Sequence, residues 1–157
     1  MPEITILANT RVTEVRVIYN DVIGGMKFSP AGVELIEAFM EYLKSQRSFV
    51  TSRLACGEAI LLIGTSSEKL SMRLHGRNLK KDGMPQAIEV TNEEIQTAVS
   101  PFMAQWVQMI TGQVRAELSL RKPLESPKIF LDGEFKALNG FAEQLTEAIG
   151  ISVVIAP

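Results

Sequence analysis

Few residues in this chain are equipped for chemistry, and their spacing says how little they can do. Asp132 and Glu134 stand two apart at the end of the apolar run Lys128 to Leu131. Such a spacing can place two carboxylates at one strand end, where a pair could work as acid and base. A solvated loop accounts for the same residues more simply and is the reading adopted. His75 is the only histidine, so neither a triad with a second imidazole nor a His-rich metal site can be built. It reads as a polar residue on a hairpin. Cys56 is the only cysteine, which excludes an internal disulfide, suits a reducing compartment and reads as a small core residue. No basic run exceeds Lys80-Lys81, and the formal net charge is -2, so nothing electrostatic calls for nucleic acid. On residue types alone there is no catalytic, cofactor-binding or metal-binding residue to assign, and no cofactor is expected.

The elements that would position these groups follow from the pattern. A chain of 157 residues, 46% hydrophobic and 22% charged, fits one globular domain or two small lobes sharing a core. Chains of this size bury roughly 70% of the surface exposed when unfolded, so no disulfide or metal is needed to hold them. The start Met1-Pro2-Glu3 lacks the basic stretch of a secretory signal, and no apolar run approaches the ~20 residues of a membrane helix. A cytoplasmic protein without a membrane span is therefore expected.

The β-branched runs 4–8, 12–19 and 22–28 predict three strands, with Asn20-Asp21 as a tight turn. Ser29-Pro30 predicts the start of an amphipathic helix over 30–44, carrying Val33, Ile36, Met40 and Leu43 at helical spacing. A second helix is predicted over 47–63, ended by Gly64, then a hairpin through 70–91. Thr91 with Glu94 forms a capping box. Ser100-Pro101 predicts a further helix start, with Phe102, Trp106, Ile110, Val114 and Leu118 along one face. Trp106 is expected in the core. Pro123 and Pro127 mark a linker, 128–131 a buried strand, 138–149 a helix capped by Gly150, and 151–156 a last strand. Three opening strands then alternation of helix and strand require an antiparallel meander followed by right-handed parallel crossovers.

The stretch Gly76-Arg77-Asn78-Leu79, Gly83-Met84-Pro85 and Ile88-Glu89-Val90-Thr91-Asn92-Glu93-Glu94-Ile95 resembles the bacterial actin homologues MreB and MamK. There a strand ending in Arg-Gly-Arg-Asp-Leu is followed by Gly-Leu-Pro and Val-Glu-Val-Ser-x-Glu-Glu-Ile. The resemblance extends from Leu7 to Ala156 but only to the second of that family's two large domains. It implies an α+β actin-like ATPase domain of the ribonuclease-H-like kind: a five-stranded mixed sheet with flanking helices and a small inserted α+β subdomain. Residues 1–45 and 97–157 would be the main subdomain and 46–96 the insertion.

The resemblance also implies where nucleotide would bind, and there the sequence departs from the family. Leu7 stands at the aspartate of the second phosphate loop, and Asn9, Thr10 and Arg11 stand at its three glycines. Ala31-Gly32-Val33 replaces Ala-Gly-Asp. In Ala59-Ile60-Leu61-Leu62-Ile63-Gly64, Ile60 and Leu62 occupy the places of the nucleoside-binding Lys and Glu. Asp132-Gly133-Glu134-Phe135-Lys136 replaces the Thr-Gly-Gly-Gly-Ala adenosine loop. Glycine turns let backbone amides reach an anion, and side chains there block the approach.

The resemblance thus implies a non-catalytic interaction or filament-forming module of a bacterial cytoskeletal or organelle-positioning assembly. Its partners would be proteins: copies of itself head to tail, or an MreB/MamK-type filament. The contact would run through Arg73, Arg77, Lys80 and Lys81, with Glu134, Glu143 and Glu147 as complementary charge. Half of a complete actin-like ATPase, and a degenerate scaffold of a secretion or pilus platform, are the alternatives.

Overall fold

The opening strands form where β-branched residues alternate between core and solvent. A computed structural model describes residues 2–121 and 126–157; Pro123 of the expected linker lies outside them. The chain divides into two compact units, Met1–Val33 with Ala104–Pro157, and Glu34–Met103.

In the first unit β1 (Glu3–Ala8), β2 (Thr13–Tyr19) and β3 (Val22–Phe28) make the expected antiparallel meander, with Ile4, Ile6, Val15 and Val17 turned inward. The Asn20-Asp21 turn has φ of 50° and 63°, the left-handed pair that a two-residue hairpin requires. β7 (Lys128–Asp132) runs parallel to β1, and β8 (Val153–Ile155) parallel to β7. The five strands lie in the order β3-β2-β1-β7-β8. The last strand is shorter than expected at both ends.

The second unit has a three-stranded sheet in the order β4-β5-β6, from β4 (Phe49–Val50), β5 (Ser71–Asn78) and β6 (Met84–Thr91). β4 was not legible in sequence, and it shortens the predicted helix over 47–63 to α2 (Arg53–Ile63). Ser48 adopts φ 49°, Phe49 is wholly buried opposite Asn78, and Ser52 caps the helix by accepting from the Ala55 amide at 3.1 Å.

α1 (Gly32–Arg47) and α3 (Asn92–Arg121) contribute residues to both units. α1 starts two residues later than predicted. Its first amides are satisfied by the β1–β2 turn, with Gly32 N donating to Asn9 O (2.9 Å) and Val33 N to Thr10 O (2.8 Å), so these two donors are met by distant carbonyls and not by Ser29.

The capping box forms at the head of α3: Thr91 N donates to Glu94 Oε2 at 3.0 Å and Glu94 N to Thr91 Oγ1 at 3.2 Å. Ser100-Pro101 does not begin a new helix; α3 passes through it, the Ser100 hydroxyl donating back to the Gln96 carbonyl. The buried stripe of α3 mixes a step of three with steps of four, through Val99, Met103, Trp106, Ile110 and Val114, while Phe102 is exposed. A constant step of four, as through Phe102 and Leu118, drifts about 40° per step at 3.6 residues per turn and leaves the core face.

α4 (Phe141–Ile149) begins after a 3₁₀ turn over Glu134–Ala137 rather than at residue 138, and ends at Gly150 as predicted. No helix among the described residues is long and apolar enough to cross a membrane.

Candidate functional site: the loops at the carboxyl ends of β1 and β7

Parallel neighbours bring their following loops to the same sheet edge, where open α/β sheets commonly bind ligands. Here Leu7 of β1 pairs with Asp132 of β7, so the loops 9–12 and 133–136 face each other. They are fastened together. The Glu134 carboxylate accepts from the Thr10 amide (Oε1, 3.2 Å) and the Thr10 hydroxyl (Oε2, 2.9 Å), and Asn9 Oδ1 accepts from the Glu134 amide at 3.0 Å. Each loop therefore satisfies donors of the other, and the donors of Thr10 are met by a carboxylate of the protein itself.

Gly133 makes the approach possible. At φ 93°, a Cβ there would come within 2.6 Å of Asn9 Oδ1 and 2.7 Å of Ala8 O. Its amide is taken by Asp132 Oδ1 at 2.8 Å, and Lys136 Nζ lies 3.5 Å from the same oxygen. Asp132 and Glu134 thus turn to different partners rather than converging as an acid–base pair. Glu134 is exposed, as a loop residue should be, while its carboxylate is held by Thr10.

Behind this clasp Phe135 is almost wholly buried and lies edge-on to Trp106, with centroids 5.5 Å apart and planes at 77°. Phe135 also fills the space over the start of α1, where a Cβ on Gly32 would fall 2.1 Å from its ring. Trp106 is core, as expected. Its ring stands 4.9 Å from Phe141, and its Nε1 donates to Thr13 Oγ1 at 2.8 Å, whose own hydroxyl donates to Pro30 O at 2.7 Å. Sequence reasoning missed both the Thr10–Glu134 pair and the Thr13–Trp106 pair, because partners 124 and 93 residues apart leave no local pattern.

In the second unit Ile60 is fully buried and Leu62 is 68% exposed. Of the two positions that the resemblance would assign to the nucleoside, one side chain is thus spent on the core and the other presents only hydrocarbon. Arg73, His75 and Arg77 lie exposed on one face of β5, with Lys80 and Lys81 exposed on the turn. Arg77 donates to Gly83 O at 3.1 Å and braces that turn. Arg47 meets Glu94 at 2.6 Å and reaches Glu89 O at 3.3 Å, so Glu94 serves the helix cap and an ion pair together. Asn92 is buried and accounts for its whole amide: Oδ1 accepts from Leu70 N, and Nδ2 donates to Ser66 O and Glu68 O.

Burial pushes the Cys56 thiol up to about 11, against an ordinary 9.0. Among the described residues no three His, Cys, Asp or Glu cluster to hold a metal. A cavity of about 640 Å³ over β7 and β8 is lined by Lys128, Phe130, Ser152 and Val154 among others, and includes none of the motif positions.

This sheet order, with its flanking helices and the three-stranded insertion, is the actin-like fold. MreB5 of Spiroplasma citri bound to AMPPNP superposes with a TM-score of 0.78 at 15% identity, over 99% of this chain and 48% of that one. MamK, as a non-polymerising mutant bound to AMPPNP, gives 0.68 at 17% over 98% and 49%. The PilM–PilN type IV pilus biogenesis complex gives 0.63 at 16% over 99% and 35%. The family model for MreB/Mbl protein matches residues 4–157, and the chain belongs to that family. It spans about half the length, or less, of these solved relatives. A search of curated proteins gave no match.

Proposed function

We propose that this chain is a non-catalytic, actin-like interaction module that works by binding protein, its own copies included, and not by turning over nucleotide. The observation that carries the reading is the closed clasp of Thr10 and Glu134 over buried Phe135. Where the resemblance places a glycine turn for phosphate, donors are already engaged by a carboxylate, and a second negative charge brought there meets repulsion. Leu7, Ile60 and Leu62 remove the charged groups that would hold metal and nucleoside.

The reading keeps the division into a main subdomain, 1–45 with 97–157, and an insertion, 46–96. It places the protein in the cytoplasm, in a cytoskeletal or organelle-positioning assembly. The contact surface is the exposed cationic set Arg73, Arg77, Lys80 and Lys81. The acidic complement on a neighbouring copy is Glu143 and Glu147, both exposed on α4. Glu134 is withdrawn from that set because Thr10 holds it. Such a contact joins two different surfaces, so it propagates head to tail.

Titration calorimetry with Mg-ATP and Mg-ADP tests the first half: no binding heat is expected, and a dissociation constant near 1 μM, about -8 kcal/mol, would refute it. Sedimentation at low salt tests the second half. Association should weaken in the Arg77→Glu, Lys81→Glu double variant, since surface charge is least screened there. Equal association by both proteins would sink the surface.

A second reading, a scaffold in a pilus or secretion platform, is favoured by the likeness to the PilM–PilN complex. Co-purification from the source cell with secretion-platform proteins, rather than filament proteins, would select it.

A further inference from the structure

β3 is the edge of the five-stranded sheet, and among the described residues no strand pairs with its outer side. Edge strands are ordinarily blunted by charge, proline, shortness or a covering element. This one is seven residues long and bears a single charge, Lys27. Its apolar side chains are open on both faces: Val22 is 67% exposed, Ile23 70% and Met26 54%, with Ile18 of β2 39% exposed beside Ile23.

The backbone chemistry states what can cover such an edge. Tyr19 and Val22 close the two-residue hairpin, so they exchange hydrogen bonds. By alternation Gly24, Met26 and Phe28 also bond to β2. Ile23, Gly25 and Lys27 then turn their amides and carbonyls outward, and only an extended strand can satisfy that row.

We infer that β3 pairs antiparallel with β3 of a second copy of this chain, joining two five-stranded sheets edge to edge across a two-fold axis at Gly24. One register is self-complementary in both shape and charge. With Gly24 opposite itself, Val22 lies opposite the partner's Met26, and Met26 opposite the partner's Val22. These are non-hydrogen-bonded pairs, whose side chains approach closely. Ile23 lies opposite the partner's Gly25, which bears no side chain to obstruct it. Just beyond Val22, the turn residue Asp21 adjoins the partner's Lys27, so the strand's one charge and the turn's one acid neutralise each other twice.

Shifting the register by two residues loses this. One direction sets Ile23 against the partner's Lys27; the other sets Asp21 against Gly25 and leaves Lys27 unpaired. The second copy is favoured over an unrelated strand because the edge supplies its own complement. A two-fold pairing closes on itself, so the exposed edge is used up without propagating. This contact is separate from the charged hairpin of β5 and β6.

The test uses the whole chain in the Arg77→Glu, Lys81→Glu background, so that failure of the hairpin contact and failure of this one are read independently. Sedimentation equilibrium should show a monomer–dimer equilibrium, weakened about tenfold or more by Ile23→Lys, which inserts a charge at the seam. Circular dichroism of that variant should be unchanged, because Ile23 is already exposed. Val22→Cys and Met26→Cys proteins, mixed under mild oxidation, should cross-link to each other, and each alone should not. Cys56 is buried and stays out of the reaction. A monomer at every concentration reached overturns the pairing. So does a dimer indifferent to Ile23→Lys. Cross-linking of either variant with itself overturns the register.

Discussion

The loops of residues 9–12 and 133–136 and the hairpin with its following helix, residues 70–95, treat the family pattern in opposite ways. In the hairpin the residues that match the pattern also hold the structure: Asn78 Oδ1 caps the turn at Lys80 N, Glu94 closes the capping box and binds Arg47, and Thr91 supplies the other half of the box. In the loops the positions that would hold a ligand carry side chains that hold each other, Thr10 to Glu134, and Phe135 over Gly32. A motif residue serving the backbone cannot change without loss of the element. A motif residue serving a ligand can change if another group satisfies the donors left behind.

The comparison is broken most severely at Trp106, which floors the clasp. Trp106→Ala removes the ring beneath Phe135 and Phe141 and should cost about 3–5 kcal/mol, read as a fall in the denaturant midpoint at constant slope. An unchanged midpoint would show that the loops stand without this floor. Next is Thr13→Val, which leaves the buried Trp106 Nε1 without its acceptor at a cost of about 1–3 kcal/mol. On the other side, Glu94→Ala removes the cap and the partner of Arg47, and about 1–2 kcal/mol should be lost. A Glu94→Gln variant should recover the capping share and not the ionic one.

Glu134→Ala should be milder, about 0.5–1.5 kcal/mol, because its partners regain water. Calorimetry with Mg-ATP should still show no binding, since Leu7, Ile60 and Leu62 remain. Binding gained by that one substitution would mean that a single carboxylate, not the whole set of changes, closes the site.

The last effect, absent at neutral pH, concerns Cys56. Its folded-state value near 11 lies above the unfolded 9.0. The unfolded chain therefore sheds its proton first, and the stability that this thiol contributes is full below pH 9 and declines as pH rises from there to 11. A Cys56→Ala variant should lack that decline. Its own loss of packing would lower stability equally at all pH values.

Legibility differed between the two regions for a physical reason. The capping box, the hairpin turn and the Gly150 cap are interactions within a few residues, so their spacing is visible in one strand of text. Ser100-Pro101 looked like a helix start for the same reason, but the packed face of α3 outweighed the one backbone bond that proline forgoes. β4 was invisible because two residues show no periodicity, and only its pairing with β5 defines it. The start of α1 moved because carbonyls of Asn9 and Thr10, twenty-odd positions earlier, took over the cap that Ser29 offers locally.

Sequence alone determined the order of the elements apart from β4 and the unbroken run of α3, the antiparallel-then-parallel sheet, the place of Trp106 in the core and the apolar character of Leu7, Ile60 and Leu62. Alternation and helical spacing are one-dimensional, and so is the substitution of an apolar side chain for a charged one. Only the tertiary structure decided that Glu134 occupies the donors of Thr10, that Phe135 fills the space above Gly32, and that β3 keeps an open apolar edge. Each of these depends on which distant segments meet, and the chain meets itself through sheet pairing and burial that no local spacing records.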